Sequence, residues 1–479
     1  MTKFLSRHKY WVFVIILFIF LRLPSLFEPY WYGDEGIYLT LGQAIRKGDI
    51  LYRQIHDNKP PTLYYLAAIS QTVFGFRLLL ALFMIPTVYF FYRLCLYFFT
   101  PKTAKISLLF FVILTSLPTL EGNIANAEIF MLLPTILAFY FFTQAKKNTD
   151  YLCIGFLLGL AFTIKIPVFI EAGFLILWVS FQKLSRRRKW SSFIPGIFIG
   201  LGFLIPTFIY FLYFYSLDAL KPFLSSAILQ NFSYLSSWTT GNQSSSAASG
   251  GLIYRLAALL ILWFIIYILF RRRHLSLKTT FILSWLMATI FGALLSARPY
   301  PHYLIQILPP LCLLIGLFFL KTQTKSLIPL ILGLMVVAFS LVKYKFYFYP
   351  TLSYYSHFYS FKGIPYFHDF FGSHVVDVYQ ISDYISQNSL PDDRIFIWGD
   401  HPYIYALSDR LPPGRYTVAY HVVDFNGYQE TLDSFKAHPP KFVVYYPMSQ
   451  RSFPELDSLL DRYYSLDQSF GSTLVFKKR

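Results

Sequence analysis

The chain has 479 residues, of which 56% are hydrophobic and 20% aromatic, and a formal net charge of +18. That composition exceeds the apolar content of a soluble domain and implies many runs able to cross about 30 Å of hydrocarbon. It also argues against nucleic acid as the partner of the positive charge, because the basic residues lie in short clusters between apolar runs. There they act as topology signals and anionic-lipid contacts.

The first ten residues, MTKFLSRHKY, precede a long apolar run with no small-residue cleavage site after it, so the segment reads as a retained first span rather than a signal peptide. Further spans are expected at about 77–99, 103–119, 129–144, 151–164, 167–183, 192–215, 252–270, 279–297, 303–320 and 327–345, the first being about 10–27. Segment 61–76, PPTLYYLAAISQTVFG, decides the topology. If it crossed the membrane, the clusters Lys102/Lys105, Lys146/Lys147, Arg186 to Lys189 and Arg271 to Arg273 would all face outward. Read as an amphipathic helix along the interface, it leaves every cluster cytoplasmic, as the positive-inside bias requires. The expectation is a polytopic helical protein of about eleven spans with a cytoplasmic N-terminus in the cell membrane. Residues 1–345 would form the membrane module with an outer-face loop at 28–76, and 346–479 an extracytoplasmic α/β domain.

Between the first two spans lies the densest acidic stretch of the membrane module. Ten carboxylates precede residue 346, and Glu28, Asp34, Glu35, Asp49 and Asp57 fall close together after the first span. Acids beside hydrocarbon are costly unless paired or functional, so the adjacent Asp34 and Glu35 in WYGDEG form a candidate site. A solvated loop with an ordinary helix start is the alternative. Segment 37–48 has Ile37, Leu41 and Ile45 at helical spacing and is expected to lie along the outer surface, holding both acids near its N-terminus.

Several basic residues oppose the topology bias: Lys59 in HDNKPP, Lys165 in GLAFTIKIP, and Arg298 with His302 in ARPYPHY. Snorkelling at span ends would explain each singly. Together with outward carboxylates they suit a bound phosphate. Such a set fits sugar transfer from a lipid phosphate to a hydroxyl, with a carboxylate as general base and cations stabilising charge on the departing phosphate. A soluble nucleotide-sugar fits less well, since the site faces away from the cytoplasm and no Gly-rich phosphate loop is present.

The remaining stretches are less directive. Cys95, Cys153 and Cys312 sit inside apolar runs, without disulfide or metal-ligand spacing. GNQSSSAASGG at 241–251 reads as a mobile external loop, and KYKFYFYPTLSYYSHFYSF as an interfacial approach to the tail. In the tail, VVDVYQISDYISQN and YQETLDSFKAH read as helices, RIFIWGD and KFVVYYP as strands.

The succession WYGDEG, LYRQIHDNKPPTLYYL, NAEIF, GLAFTIKIP and RPYPHYLIQILPPL resembles the bacterial polyprenyl-phosphate-dependent glycosyltransferases of the GT-C fold. These are relatives of protein O-mannosyltransferases and the lipid A aminoarabinose transferase. The resemblance covers about residues 1–345. It implies inverting transfer at the outer leaflet from a polyprenyl-phosphate sugar to a glycan, lipid or protein acceptor. It makes Asp34 the base, Glu35 its support or the acceptor's positioner, and Glu128 a second acid, one methylene longer than the aspartate common in the family. Lys59 and Lys165 become donor-phosphate contacts, with Arg298 and His302 beside them. Where aminoarabinose transferases often place an acid before the first of these lysines, this chain has Asn58, preceded by His56 and Asp57. Those two are the weak candidates for a divalent metal, whose requirement the sequence leaves open. Two other classes stay open: an oligosaccharide polymerase or ligase, and a lipid-linked sugar flippase or transporter. A non-catalytic assembly protein is a third.

Overall fold

A computed structural model describes residues 2–187, 190–231, 245–296, 298, 300–320, 351–447 and 451–479. The chain divides into two compact units. One comprises Met1–Leu23, Leu80–Leu212 and Asn231–Thr351, the other Pro24–Leu79, Tyr213–Gln230 and Leu352–Arg479.

The first unit is a helical membrane bundle. Across the chain, six helical stretches among the described residues are long and apolar enough to span: Lys9–Phe27, Val73–Phe98, Ala127–Gln144, Ser191–Ser216, Gly251–Arg271 and Pro301–Phe318. Shorter apolar helices occupy Asn148–Phe162, Val168–Gln182 and Leu277–Ala293. Helix Pro101–Leu114 covers only the first part of the expected span 103–119, ending at its C-cap Thr115. The expected span 327–345 lies outside the described residues. Large apolar side chains face outward on these helices, as Leu204 and Phe208 do at 60% and 58% exposure, which only hydrocarbon tolerates on such a scale. Inside the bundle, helix ends carry local signals. Thr100 caps Pro101–Leu114 by accepting the Thr103 N–H, and Ser276 caps Leu277–Ala293 by accepting the Thr279 N–H. Gly155 and Gly202 let helices Asn148–Phe162 and Ile194–Ser216 approach closely, since a methyl at either would overlap the other helix's backbone.

In the segment that decided the topology, Thr62–Ser70 is a short helix, and 73–76 already belong to the following helix Val73–Phe98. Nine residues rise about 14 Å, too little to cross the hydrocarbon. The serine-rich piece is not wholly loop: 245–251 already belong to helix Ser245–Arg271, whereas 241–244 lie outside the described residues.

In the second unit the acidic loop and the tail form one body, so the packing does not follow the boundary at residue 345. The tail carries a four-stranded sheet, β1 (Ile395–Trp398), β2 (Phe442–Tyr445), β3 (Tyr464–Phe470) and β4 (Thr473–Lys478), in the order β1-β2-β4-β3. β1 and β2 pair in parallel, with Ile395 opposite Phe442, and their crossover carries helices Tyr403–Ser408, Ala419–Asp424 and Tyr428–Ala437. β4 returns antiparallel to β2 and forms a hairpin with β3. The expected helices and both expected strands are present; the hairpin was not expected.

Helix Gly33–Arg46 does not lie on an open surface. Residues Glu35 to Ala44 are all buried, because its polar face is covered by the tail. Thr40 Oγ1 donates to Pro402 O at 3.0 Å, Gln43 Nε2 donates to Asp409 Oδ1 at 3.0 Å, and Gly36 lies against the Tyr403 backbone. Its other side packs on Thr62–Ser70, where Gly42 meets the Ala67 and Ala68 backbone.

The N-terminal turn of this helix is tied down by a buried guanidinium. Arg77 Nε and Nη2 donate to the two Glu35 oxygens at 2.9 and 2.5 Å, and Nη1 lies 2.7 Å from Glu28 Oε2 and donates to Ser25 O at 2.8 Å. Glu28 in turn accepts Trp31 Nε1 at 2.7 Å and Tyr354 OH at 2.5 Å. Removing one partner of such a group strands buried charge, at about 3–5 kcal/mol. Arg77→Met is therefore expected to lower the unfolding free energy by about that amount. Denaturant titration of the detergent-solubilised protein, followed by tryptophan fluorescence, measures it.

Candidate functional site

Two clusters of ionisable side chains, one in each unit, contain most of the residues expected to act. In the second unit Asp34 occupies the first turn of helix Gly33–Arg46, where the helix dipole favours the ionised carboxylate. Its Oδ2 accepts the Tyr38 hydroxyl at 3.0 Å and lies 3.4 Å from Lys59 Nζ. The same ammonium sits 3.8 Å from Asp57 Oδ2 and 4.9 Å above the Tyr38 ring. Lys59 is aimed by its backbone: Tyr52 OH donates to its carbonyl at 2.7 Å, and its N–H donates to Tyr64 OH at 3.1 Å. The two prolines that follow bring the chain straight into helix Thr62–Ser70. Asp34 keeps 27% of its side chain exposed while Asp57 is 1% exposed, so of the two carboxylates on Lys59 only Asp34 is open to a substrate.

Glu35, although adjacent in sequence, points away from this group and spends both oxygens on Arg77. Successive helical residues lie on different faces, so an acidic pair cannot address one spot together.

Behind Lys59 lies a buried histidine pair. His421, from helix Ala419–Asp424, places Nε2 3.6 Å from Asp57 Oδ1. The His56 and His421 rings are 5.4 Å apart, and His56 Nδ1 faces Ser226 Oγ at 3.2 Å. Among the described residues no group of three or more His, Cys, Asp or Glu has metal-binding geometry. His56 and Asp57, the weak metal candidates, thus find one more histidine nearby but no ligand set.

Burial pushes the His56 imidazole well below its ordinary pKa, with His421 and Arg415 adding to the effect. Burial likewise lowers His421, against the opposing pull of Asp57. Both rings are neutral in the folded protein at pH 7. The unfolded histidines, at about 6.5, take up protons that the folded ones refuse, so stability is complete above that pH and is lost as pH falls below it. The thermal midpoint is expected to drop between pH 7.5 and 5.5, as the unfolding free energy falls by up to about 1.4 kcal/mol per pH unit for each histidine. His56→Gln is expected to show a shallower drop in the same melts.

In the first unit Glu128 Oε1 forms an ion pair with Lys165 Nζ at 2.7 Å and lies 3.8 Å from His302 Nε2. The opposite ring nitrogen of His302 is paired with Glu121. Lys165 sits 4.8 Å above the Tyr303 ring, and Tyr300 stacks on His302 at 5.5 Å. Lys165 is held in the short break between helices Asn148–Phe162 and Val168–Arg187, its N–H bonded to Ala161 O at 2.9 Å. Glu128, Lys165 and His302 are thus brought together, and Arg298 is half-buried in the stretch leading to His302, its N–H 3.4 Å from Ser296 Oγ.

Sequence reasoning passed over Glu121, His421, Tyr38 and Arg77. For Glu121 a signal was present in EGNIANAE, where two acids bracket the loop. His421 carried none, being one histidine in a tail without motif. Also passed over was Glu171, an intramembrane carboxylate that accepts Trp285 Nε1 and Gln306 Nε2, each at 2.9 Å.

Residues 58–211 match the protein family described as dolichyl-phosphate-mannose-protein mannosyltransferase. Among solved structures, ArnT from Cupriavidus metallidurans bound to undecaprenyl phosphate is 14% identical, with 98% of each chain covered and a TM-score of 0.62. Its apo state gives 14% identity, the same coverage and a TM-score of 0.60. The archaeal oligosaccharyltransferase AglB from Archaeoglobus fulgidus is 13% identical over 99% of this chain and 75% of that one, with a TM-score of 0.49. No curated protein matches the sequence. The fold is therefore the one shared with ArnT, and the multi-pass membrane character expected from composition holds.

Proposed function

We propose that this chain, with the GT-C fold of the polyprenyl-phosphate-dependent glycosyltransferases, is an inverting transferase that moves a sugar from a polyprenyl-phosphate donor to a hydroxyl acceptor. The observation that carries the reading is the Asp34–Lys59 pair: a partly open carboxylate at a helix N-terminus, 3.4 Å from an ammonium on a rigid Lys-Pro-Pro turn. The family match over residues 58–211 supports it, as it begins on that turn. A flippase or transporter fits less well, because the paired charges lie at helix starts and in loops rather than along the spans.

In this reaction Asp34 takes the proton of the acceptor hydroxyl. The acceptor oxygen attacks the anomeric carbon from the face opposite the phosphate, the carbon–oxygen bond to phosphate breaks, and the lipid phosphate leaves with the electron pair. Lys59 offers an ammonium with three donors to that developing charge. We assign Lys165, Arg298 and His302 to donor phosphate as well, and Glu128 to holding the Lys165 ammonium in place. Glu35 we assign to anchoring the helix that presents Asp34, rather than to the acceptor. The acceptor, whether glycan, lipid or protein, reaches Asp34 from outside the membrane; the positive-inside pattern supports eleven spans, a cytoplasmic N-terminus and an extracytoplasmic tail.

Asp34→Asn is expected to lower transfer from a polyprenyl-phosphate sugar by about 10²–10⁴-fold at unchanged protein level, the usual worth of a general base. Activity equal to wild type removes Asp34 from that role. Lys165→Ala is expected to weaken donor binding more than turnover of bound donor, measured as KM against kcat. Reporter fusions after residues 189 and 273 are expected to give cytoplasmic signals, and an external signal at either refutes the eleven-span topology.

A further inference from the structure

We infer that His421, contributed by the tail, is a positioning residue for the donor-phosphate site: it fixes Asp57, which with Asp34 sets the direction of the Lys59 ammonium. The inference rests on the functional reading above and assigns the tail a part in it.

Asp57 is the hinge of this arrangement. Its Oδ1 accepts the Asn58 N–H at 2.7 Å and faces His421 Nε2 at 3.6 Å, while its Oδ2 lies 3.8 Å from Lys59 Nζ. At 1% exposure its carboxylate has no water to turn to, so its orientation is set by these neighbours together with the buried Tyr64 hydroxyl bonded to it. His421 is 2% exposed, held edge-on by Tyr420 with ring centroids 4.5 Å apart and against a tilted Phe425 ring at 5.6 Å. Its Nδ1 has no hydrogen-bond partner among the described residues, so Nε2, facing the carboxylate, is the nitrogen that carries the hydrogen. Besides Asp57, the groups around the ring are His56, Lys59, Asp34 and Asp424. A neutral imidazole donor steadies Asp57 without adding a second cation to compete with Lys59 for it. This explains why a histidine is kept buried there uncharged.

The test is a mutant cycle read as affinity of the full-length, detergent-solubilised chain for undecaprenyl phosphate. Lys59→Met is expected to weaken binding about 10–100-fold, the worth of one charge-assisted contact. His421→Leu is expected to weaken it about tenfold in the wild-type background and not at all on top of Lys59→Met, because His421 acts through that lysine. His421→Gln, whose amide N–H reaches the place of Nε2, is expected to restore affinity; His421→Asn, which reaches only the place of Nδ1, is not. Independent losses that add in the double variant overturn the inference, as does equal behaviour of the Gln and Asn variants. If the Leu variant does not fold, the Gln and Asn variants decide alone. Wild-type protein that fails to bind undecaprenyl phosphate removes the functional reading as well, whereas binding with additive losses removes only the role of His421.

Discussion

Everything on the acidic loop depends on Arg77. Glu28 and Glu35 lie together in a buried pocket, where two carboxylates side by side need a cation between them. The guanidinium supplies a fork that satisfies both Glu35 oxygens and still reaches Glu28 and Ser25. A lysine has the charge but not the fork. By fixing Glu35 at the first turn of helix Gly33–Arg46, this contact also fixes the residue before it, and so aims Asp34 without touching it. The pair divides labour: Glu35 is locked on Arg77 while its neighbour Asp34 stays partly open.

The tail is the second constraint. A helix with Thr40, Gln43 and Gly36 on its second face cannot stand in water or lipid as an amphipathic surface helix, and in the fold it does neither. Tail carbonyls and Asp409 accept from Thr40 Oγ1 and Gln43 Nε2, and Tyr354 completes the shell around Glu28. The sheet of the tail provides a rigid frame for this cover, with β1 and β2 buried along their lengths. Rigid support beneath this helix is what precise placement of Asp34, the proposed base, would require.

How far the chain could be read from sequence follows from the physics of each part. Membrane-spanning character was legible because hydrocarbon admits only helices with satisfied backbones, and among the described residues six of the expected spans are helices long and apolar enough to cross. The interfacial reading of 61–76 rested on charge bookkeeping at four loops; the fold has a nine-residue helix over its first part and begins the helix Val73–Phe98 within its last. Asp34, Lys59 and Lys165 stood out because charge near hydrocarbon is rare. The division of roles between Asp34 and Glu35 was not legible, since it depends on Arg77, a residue forty-two positions later that looked like part of a span. The β3–β4 hairpin was missed because β3 is exposed and polar, so its strand pattern lacks an apolar face. His421 was invisible for a different reason: its meaning is its distance to Asp57, across more than three hundred residues of chain.

That separation has a consequence for how the protein comes into being. The acidic loop emerges early in synthesis, directly after the first helix, yet its packing partners are residues 352–479. Until the last segment has been made and joined to it, helix Gly33–Arg46 lacks the atoms that satisfy Thr40 and Gln43, and Asp57 lacks His421. The bundle can insert span by span, but the Asp34 site matures only when the final residues arrive. An incompletely synthesised chain would therefore occupy the membrane with the Asp34 loop unfinished, and only complete molecules would carry that loop in its final packing.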